Sequence, residues 1–237
     1  MNAFGMTDIH QHLLWGLDDG PENVQGMYDL LHAAHNQQIT RIAATPHACP
    51  GFQPFDRNQY QARLEEAQRY CNENSLPITV LTGAEIAWTY HTVEALRTGQ
   101  VPTLGGTEYV LIELWRDVSW QEVKSAAGQL LRAGFTPVFA HVERYRCFVW
   151  QPRRAISLKK EMDICYQVNA PTLLAEGGPV FKHFMHCMLE EQAFDAVASD
   201  AHDCTFRPQS LQVAYEALQK KCGEEYAKRL VNFYGVC

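Results

Sequence analysis

Two histidines near the N-terminus are spaced so that both can reach a single point. They stand in the segment DIHQH, residues 8–12. In a β-strand, residues i and i+2 face the same side, so His10 and His12 would project together. Two neutral imidazoles on one face favour a transition-metal site. The alternative is a pair of polar residues on a half-exposed strand, and other parts of the chain decide between the two.

Further potential ligands follow at the ends of other apolar segments. Imidazole and carboxylate ligands without thiolate suit Mn, Fe, Zn or Co better than Ca or Mg. A single zinc ion takes three or four protein ligands, so a larger set predicts a cluster of two or three ions. Such a cluster would carry a net positive charge that attracts a phosphate ester. We predict nine metal ligands: His10, His12, Asp19, His47, Glu85, Glu113, His141, Asp200 and His202.

The elements that carry these residues alternate between apolar strands and amphipathic helices. This order predicts parallel strands joined by crossover helices, with the polar residues at the strands' carboxyl ends, where such folds build their sites. We therefore predict an α/β fold, a distorted TIM-like (β/α)7 barrel in one domain over residues 1–237, with a doubly wound sheet as the alternative. The predicted strands are 7–15, 39–44, 78–86, 108–114, 135–141, 164–169 and 194–202. The main predicted helices are 21–38, 56–74, 91–98, 120–133, 179–190, 208–221 and 224–234, with a further helix that ends near 162.

Composition narrows the class of protein and of partner. The 237 residues are 46% hydrophobic, enough for a substantial core. The formal net charge of -7 and the lack of a basic run argue against a nucleic-acid partner. The sequence predicts neither a transmembrane helix nor a signal peptide. Eight scattered cysteines without a Cys-x-x-Cys pair favour a reducing, cytoplasmic location over a secreted disulfide framework.

Seven short motifs, taken together in this order, resemble the PHP (polymerase and histidinol phosphatase) superfamily. They are most similar to its bacterial tyrosine-protein phosphatases of capsule and exopolysaccharide loci. The resemblance extends from about residue 6 to residue 220 and implies a PHP-type barrel with a manganese-dependent trinuclear centre. The motifs are DIHQH (8–12), DDGP (18–21), TPH (45–47), GAE (83–85), LIE (111–113), AHVERY (140–145) and SDAH (199–202).

The resemblance also implies how the ligands divide among the metals. His10, His12, Glu85 and Asp200 would hold the first ion. Glu85 would bridge to a second ion at Glu113 and His141, and the third would lie at Asp19, His47 and His202. Asp18 could be the metal ligand in place of Asp19, but the family's spacing favours Asp19. Arg144 and Arg207 match the family's phosphate-binding arginines, and a guanidinium can grip two phosphate oxygens at once.

The function that follows is phosphomonoester hydrolysis by a metal-bridging hydroxide. The resemblance implies phosphotyrosine in a protein as the substrate, and the tyrosine-rich tail of a membrane-anchored tyrosine kinase in capsule biosynthesis as the partner. Two other functions stay open: a small-molecule phosphatase acting on histidinol phosphate or a nucleotide, and a non-catalytic scaffold that retains metal. Cys204 stands near the last ligands, but it does not begin the Cys-x5-Arg loop of thiol phosphatases.

Overall fold

Parallel β-strands form the centre of the fold. A computed structural model describes residues 5–175, 177–233 and 235. Within these residues nine strands pair, every pair parallel. Their bounds are Met6–Gln11 (β1), Ile39–Ala44 (β2), His47–Ala48 (β3), Thr79–Leu81 (β4), Glu85–Ala87 (β5), Tyr109–Glu113 (β6), Thr136–Phe139 (β7), Cys165–Asn169 (β8) and Ala196–Ala198 (β9).

Helices connect the strands, and local capping fixes where several of them begin and end. The carboxylate of Asp56 accepts hydrogen bonds from the backbone of Asn58 and Gln59 at 3.0 Å and starts the second helix. Ser119 and Glu122 form a capping box at the fourth. The helices are Val24–Asn36 (α1), Arg57–Glu73 (α2), Thr92–Arg97 (α3), Trp120–Arg132 (α4), Arg146–Val149 (α5), Pro152–Glu161 (α6), Ala170–Leu174 (α7), Pro179–Glu190 (α8), Leu211–Cys222 (α9) and Glu224–Leu230 (α10).

The strands form two parallel sheets that curl towards each other. One sheet has the order β1-β2-β4, and the other has the order β3-β5-β6-β7-β8-β9. The end of the first strand meets the segment after the last strand through a parallel bridge between Gln11 and Ala201. His12 donates its backbone N–H to the carbonyl of Ala201 at 2.9 Å, and Asp200 donates its own to His10 at 2.9 Å. The curl therefore brings residues near the two ends of the chain to the same place.

Apolar side chains fill both sides of the curled sheet. The larger buried cluster packs the helices against the strands and includes Leu30, Val123 and Phe184. A smaller cluster joins side chains of strands that are not neighbours, among them Ile9 of β1 and Val138 of β7. Such residues can touch only across the inside of a curl. The structure is thus a mixed α/β single domain built on a curled parallel sheet.

The seven-strand count predicted from the sequence is not confirmed. The predicted third strand, 78–86, divides into β4 and β5, and the short strand β3 follows β2 after a break at Pro46. Proline has no N–H to donate to a neighbouring strand, which interrupts pairing at that point. At the second break Gly83 lies against Thr45, where an added Cβ would be 2.8 Å from a methyl carbon. The predicted last helix ends at Leu230, and residue 234 lies outside the described residues.

Candidate metal centre

The predicted ligands come together where the strands end. His10 lies in β1, Glu113 is the last residue of β6, and the other strands supply ligands at their ends or in the following loops. His47 begins β3 and pairs in register with Glu85, the first residue of β5. These two short strands continue the paths of β2 and β4, so their first residues occupy the same edge of the sheet as the other ligands.

Three buried histidines present the same ring nitrogen to the centre. His10 donates from Nδ1 to Oε1 of Gln167 at 3.2 Å, and His12 donates from Nδ1 to Oδ2 of Asp18 at 2.6 Å. His202 donates from Nδ1 to the carbonyl of Asp200 at 2.9 Å. The buried Nε2 atoms of all three have no hydrogen-bond partner among the described residues. A nitrogen held in this tautomer and orientation is arranged as a metal ligand.

Glu85 lies in the middle of the cluster. Its Oε2 is 3.2 Å from Nε2 of His10 and of His12, and 3.1 Å from Nδ1 of His47. Its Oε1 accepts a hydrogen bond from Nε2 of His141 at 2.7 Å. The two carboxylate oxygens therefore face different histidines. That is the arrangement expected of a carboxylate that bridges two ions.

Asp18 and Asp19 take different positions although they are neighbours in sequence. Oδ1 of Asp19 lies 3.3 Å from Nε2 of His47 and 3.2 Å from Nε2 of His202. Asp18 instead accepts hydrogen bonds from Nδ1 of His12 and, at 2.9 Å, from the backbone N–H of His47. Asp19 thus faces the ring nitrogens of His47 and His202, whereas Asp18 orients His12 from behind.

Two of the predicted ligands have an unusual backbone conformation. His141 has φ 33° and Asp200 has φ 53°, the left-handed region that side chains other than glycine rarely adopt. Neighbours hold both residues there: Oε1 of Gln167 accepts from the backbone N–H of His141 at 2.8 Å, and Asn169 donates to Asp200 at 2.7 Å. Backbone strain of this kind costs about 1–3 kcal/mol and clusters at functional sites.

Several pKa values in the metal-free cluster are strongly shifted. Burial raises the pKa of the Glu85 carboxyl, but His10 and the other imidazoles outweigh this effect and hold the pKa well below its usual range. Burial also raises the pKa of Asp200, but the charges of His10 and Arg207 outweigh it and lower this pKa to about 2. Burial and the nearby charge of His12 lower the pKa of His202 to about 4. The carboxylates of Glu85 and Asp200 therefore stay ionised and attract cations, while His202 stays neutral and able to bind a metal.

Both predicted arginines lie against the carboxylates of the cluster. Arg144 donates from Nη2 to Asp200 at 3.0 Å. Arg207 donates to Asp19 at 3.2 Å and to Asp200 at 3.1 Å. The two guanidinium-bearing side chains are 47% and 41% exposed, so each also faces solvent. They border the cluster and are open to an incoming anion.

A family comparison identifies what kind of chain carries this site. A sequence model of the family described as "Capsular polysaccharide synthesis, CpsB/CapC" matches residues 6–233. The chain belongs to this family. The family resemblance predicted from the motifs is therefore confirmed.

Several CpsB/CapC relatives resemble the chain over nearly its full length. The tyrosine-protein phosphatase CpsB of Streptococcus pneumoniae is 29% identical over 232 residues, which cover 95% of this chain and 94% of that protein. The tyrosine-protein phosphatase YwqE of Bacillus subtilis is 30% identical over 220 residues, covering 93% and 86%. A solved chain described under "Crystal structures of YwqE from Bacillus subtilis and CpsB from Streptococcus pneumoniae, unique metal-dependent tyrosine phosphatases" matches with a TM-score of 0.84 at 29% identity. The match covers 94% of this chain and 90% of the other.

The donor atoms of this CpsB/CapC chain fit metal ions. They are imidazole nitrogens and carboxylate oxygens, and the orphaned Nε2 atoms of His10, His12 and His202 aim into the cluster. Within each of three groups, the ligand atoms lie within 4.8 Å of one another. This donor chemistry suits divalent transition metals. The groups are His12, Asp19, His47 and His202; His10, His12 and Glu85; and His47, Glu85 and Glu113.

Sequence reasoning missed the residues that hold the ligands from behind. Oε1 of Gln167 accepts from both His10 and the backbone of His141, and Nε2 of Gln167 donates to Asn169 at 2.7 Å. Asn169 in turn donates to Asp200. A signal was present in the sequence: Gln167 and Asn169 are polar residues two apart in the otherwise apolar strand β8, and both are buried.

A second buried network supports the strands beside the centre. Asp8 is fully buried and accepts hydrogen bonds from Ser199 Oγ at 2.5 Å and from Gln209 Nε2 at 2.8 Å. It ties β1 to the segment after β9, so Asp8 acts behind the ligands and not among them. The histidines of α1 and α8 that have i, i+3 spacing, His32 with His35 and His183 with His186, belong to none of the candidate metal groups in the described part of the chain.

Proposed function

We propose that this chain is a metal-dependent protein-tyrosine phosphatase. The observation that carries the proposal is the convergence of the three orphaned Nε2 atoms of His10, His12 and His202 around the carboxylates of Glu85 and Asp19. In a chain of the CpsB/CapC family, whose relatives include named tyrosine-protein phosphatases, this cluster is best suited to phosphate ester hydrolysis.

We propose that the cluster binds two to three divalent ions, with Mn²⁺ as the preferred metal and Fe, Zn or Co as alternatives. The distances around Glu85 support its role as the bridging carboxylate. Those around Asp19 support its role as a ligand in preference to Asp18. The proposed sets are His10, His12, Glu85 and Asp200; Glu85, Glu113 and His141; and Asp19, His47 and His202.

Bound divalent ions would act as Lewis acids and lower the pKa of coordinated water towards neutrality. The protein's own part is to orient and to neutralise. Arg144 and Arg207 border the cluster half-exposed, where each can hold outer phosphate oxygens with a planar fork of donors. Their grip should strengthen as charge builds up on the phosphoryl group in the transition state. A tyrosine leaving group, with a pKa of about 10, needs little help from an acid.

We further propose that the substrate is the tyrosine-rich tail of a membrane-anchored tyrosine kinase and that the enzyme acts in the cytoplasm. Of the described helices, none combines the length and apolarity required to cross a lipid bilayer. For the fold, we propose that β2 with β3 and β4 with β5 each fill one position of a distorted seven-position barrel. The pairing of β1 with β2 and the bridge from Gln11 to Ala201 support this description.

A turnover panel tests the function. The purified protein, with chelator removed and Mn²⁺, Zn²⁺, Fe²⁺ or Co²⁺ added in turn, is assayed with phosphotyrosyl peptides, phosphoseryl peptides, histidinol phosphate and nucleotides. We expect the highest kcat/KM with phosphotyrosyl peptides. Glu85→Gln should lose nearly all turnover, because it removes a charged bridging ligand. A preference for histidinol phosphate or a nucleotide would establish the small-molecule alternative, and no turnover with any metal would refute the proposal.

A further inference from the structure

A groove opens from one side of the candidate metal centre. Its volume is about 860 Å³, and its wall includes Glu113, His141 and Arg144 of the centre itself. From there it extends between three segments of the chain: the loop after β6, the helix α5 with Trp150, and the first turn of α8. We call this surface the tryptophan groove, defined by Trp115, Arg116, Arg146, Trp150, Val180 and Phe181.

Two exposed tryptophan rings line this groove. Trp115 is 85% exposed and Trp150 is 67% exposed, although large apolar side chains usually avoid water. Val180, 37% exposed, and the half-buried Phe181 extend the apolar surface. Tryptophan is among the residues that contribute most to binding energy at protein interfaces. Two exposed tryptophans beside a candidate active site therefore indicate a surface that binds a partner.

The charges of the groove indicate what kind of partner it fits. Arg116 and Arg146 lie in its exposed wall, and Arg144 lies where the groove meets the centre. Arg146 pairs with Asp117 at 2.8 Å, a solvent-exposed pair that a ligand can displace. In a chain with a formal net charge of -7, three arginines line this groove against two glutamates, Glu113 of the centre and the buried Glu143. The groove is suited to an acidic ligand that also has an apolar or aromatic side chain.

We propose that the tryptophan groove binds the polypeptide segment that adjoins the phosphotyrosine, and that it selects segments with an acidic and an apolar side chain. This inference rests on the proposed phosphatase function. Its support is continuity: Glu113, His141 and Arg144 line both the centre and the groove, so a chain whose phosphotyrosine reaches the metals must lie next to it. A free small phosphate would leave the groove unfilled.

Substitutions in the groove should affect only substrates that reach it. We compare kcat/KM for a phosphotyrosyl peptide and for p-nitrophenyl phosphate in Trp150→Ala and Trp115→Ala. The peptide value should fall about tenfold in each, as for a tryptophan at the centre of an interface. The value for p-nitrophenyl phosphate should stay unchanged. Tyr90→Ala is the matched control, because Tyr90 is 86% exposed in the loop after β5 but does not line the groove.

Charge reversal tests the selection of acidic segments. Peptides with Glu, Ser or Lys beside the phosphotyrosine are compared in the wild type and in Arg116→Glu, with Arg69→Glu of α2 as the control. The wild type should prefer Glu over Lys by about threefold to tenfold, a range set by partly exposed ion pairs. Arg116→Glu should abolish or reverse this preference, and Arg69→Glu should retain it.

The outcomes separate the groove from the function itself. If the wild type hydrolyses neither substrate, the phosphatase function fails and the groove proposal fails with it. If both are hydrolysed but Trp150→Ala and Trp115→Ala lower the peptide value no more than Tyr90→Ala, the phosphatase stands and the groove proposal is refuted. Sedimentation of the wild type and of Trp150→Ala tests whether a second copy of this chain occupies the groove. If the wild type forms an oligomer that Trp150→Ala loses while peptide turnover stays unchanged, the groove is an interface between copies and the proposal is overturned.

Discussion

The contact between Asp18 and His12 determines how the proposed metal centre should respond to one isosteric substitution. Oδ2 of Asp18 accepts from Nδ1 of His12 at 2.6 Å and from the backbone of His47 at 2.9 Å, and the side chain is only 5% exposed. Asp18→Asn keeps the shape but removes the charge and one acceptor oxygen. The imidazole then loses the anionic partner that directs its Nε2 towards Glu85, and a neutral amide takes its place.

We expect Asp18→Asn to weaken metal binding rather than to remove a ligand, because all the proposed metal ligands remain in place. Removing a carboxylate that orients a metal-bound histidine typically weakens metal binding about 10- to 100-fold. That factor corresponds to about 1.4–2.7 kcal/mol. Titration calorimetry of Mn²⁺ into chelator-treated protein measures it, with Asp29→Asn on the exposed face of α1 as the control. Turnover at saturating Mn²⁺ should be largely recovered in Asp18→Asn.

Two results would contradict this reasoning. An unchanged Mn²⁺ affinity in Asp18→Asn would show that the carboxylate does not orient His12. Loss of a whole ion at saturating metal would make Asp18 a ligand itself. In that case Asp19→Asn should retain full metal content, which would reverse the assignment of the two aspartates.

The same pair predicts the pH dependence of the metal-free protein. Burial alone would lower the pKa of His12, but Asp18 and Glu85 raise it from 6.5 to about 10, and His12 in turn lowers the pKa of Asp18. The contribution of His12 to the free energy of unfolding is complete below pH 6.5 and is lost as pH rises towards 10. The contribution of Asp18 is present above its unfolded-state pKa of 3.8 and is lost as pH falls below that value. Urea unfolding at pH 6 and pH 9 should therefore show a larger decrease in the wild type than in Asp18→Asn. An equal decrease would count against the pairing.

Two further predictions concern phosphate binding and the thiol. Arg144→Ala and Arg207→Ala should keep their metals but lose about 10- to 1000-fold in kcat/KM, or about 1.4–4 kcal/mol, with only partial rescue by lysine; normal efficiency with a phosphotyrosyl peptide in both would remove their assigned role. Cys204→Ser should keep most activity, because burial and the nearby Asp29 and Asp203 raise the pKa of the thiol and keep it protonated at neutral pH. Loss of turnover at unchanged metal content would point to a thiol mechanism.

The types of residue in the cluster could be predicted from the sequence, because polar residues at the ends of apolar strands are conspicuous. His10 and His12 required only the two-residue period of a strand. The partners that orient them were harder to predict. Asp18 lies six residues from His12, but Gln167 is separated from His10 by 157 residues. Only the curl of the sheet brings the side chain of Gln167 in β8 across β9 to that of His10 in β1, and no local pattern encodes that distance.

The strand interruptions could also not be read from apolar content. The predicted segment 78–86 is mostly apolar, yet pairing stops between β4 and β5. Two side chains approach Gly83 closely at this point. Gly83 donates its backbone N–H to the hydroxyl oxygen of Tyr60 at 2.9 Å, and Thr45 packs against Gly83. The backbone N–H that would continue a strand is thus directed to a side chain of α2.

The closure of the sheet and the assembly of the metal centre are the same structural event. His10 belongs to the first strand, and Asp200 follows the last; their side chains come within 3.4 Å because the backbone of Asp200 donates to the carbonyl of His10. Behind them, Asp8 and Ser199 join the same two segments through buried hydrogen bonds. The polar contacts that close the curl therefore also set the distance between ligands of the first ion. Any loosening between β1 and β9 would separate ligands before it exposed the apolar core, so metal affinity should report on that seam more sensitively than global unfolding does.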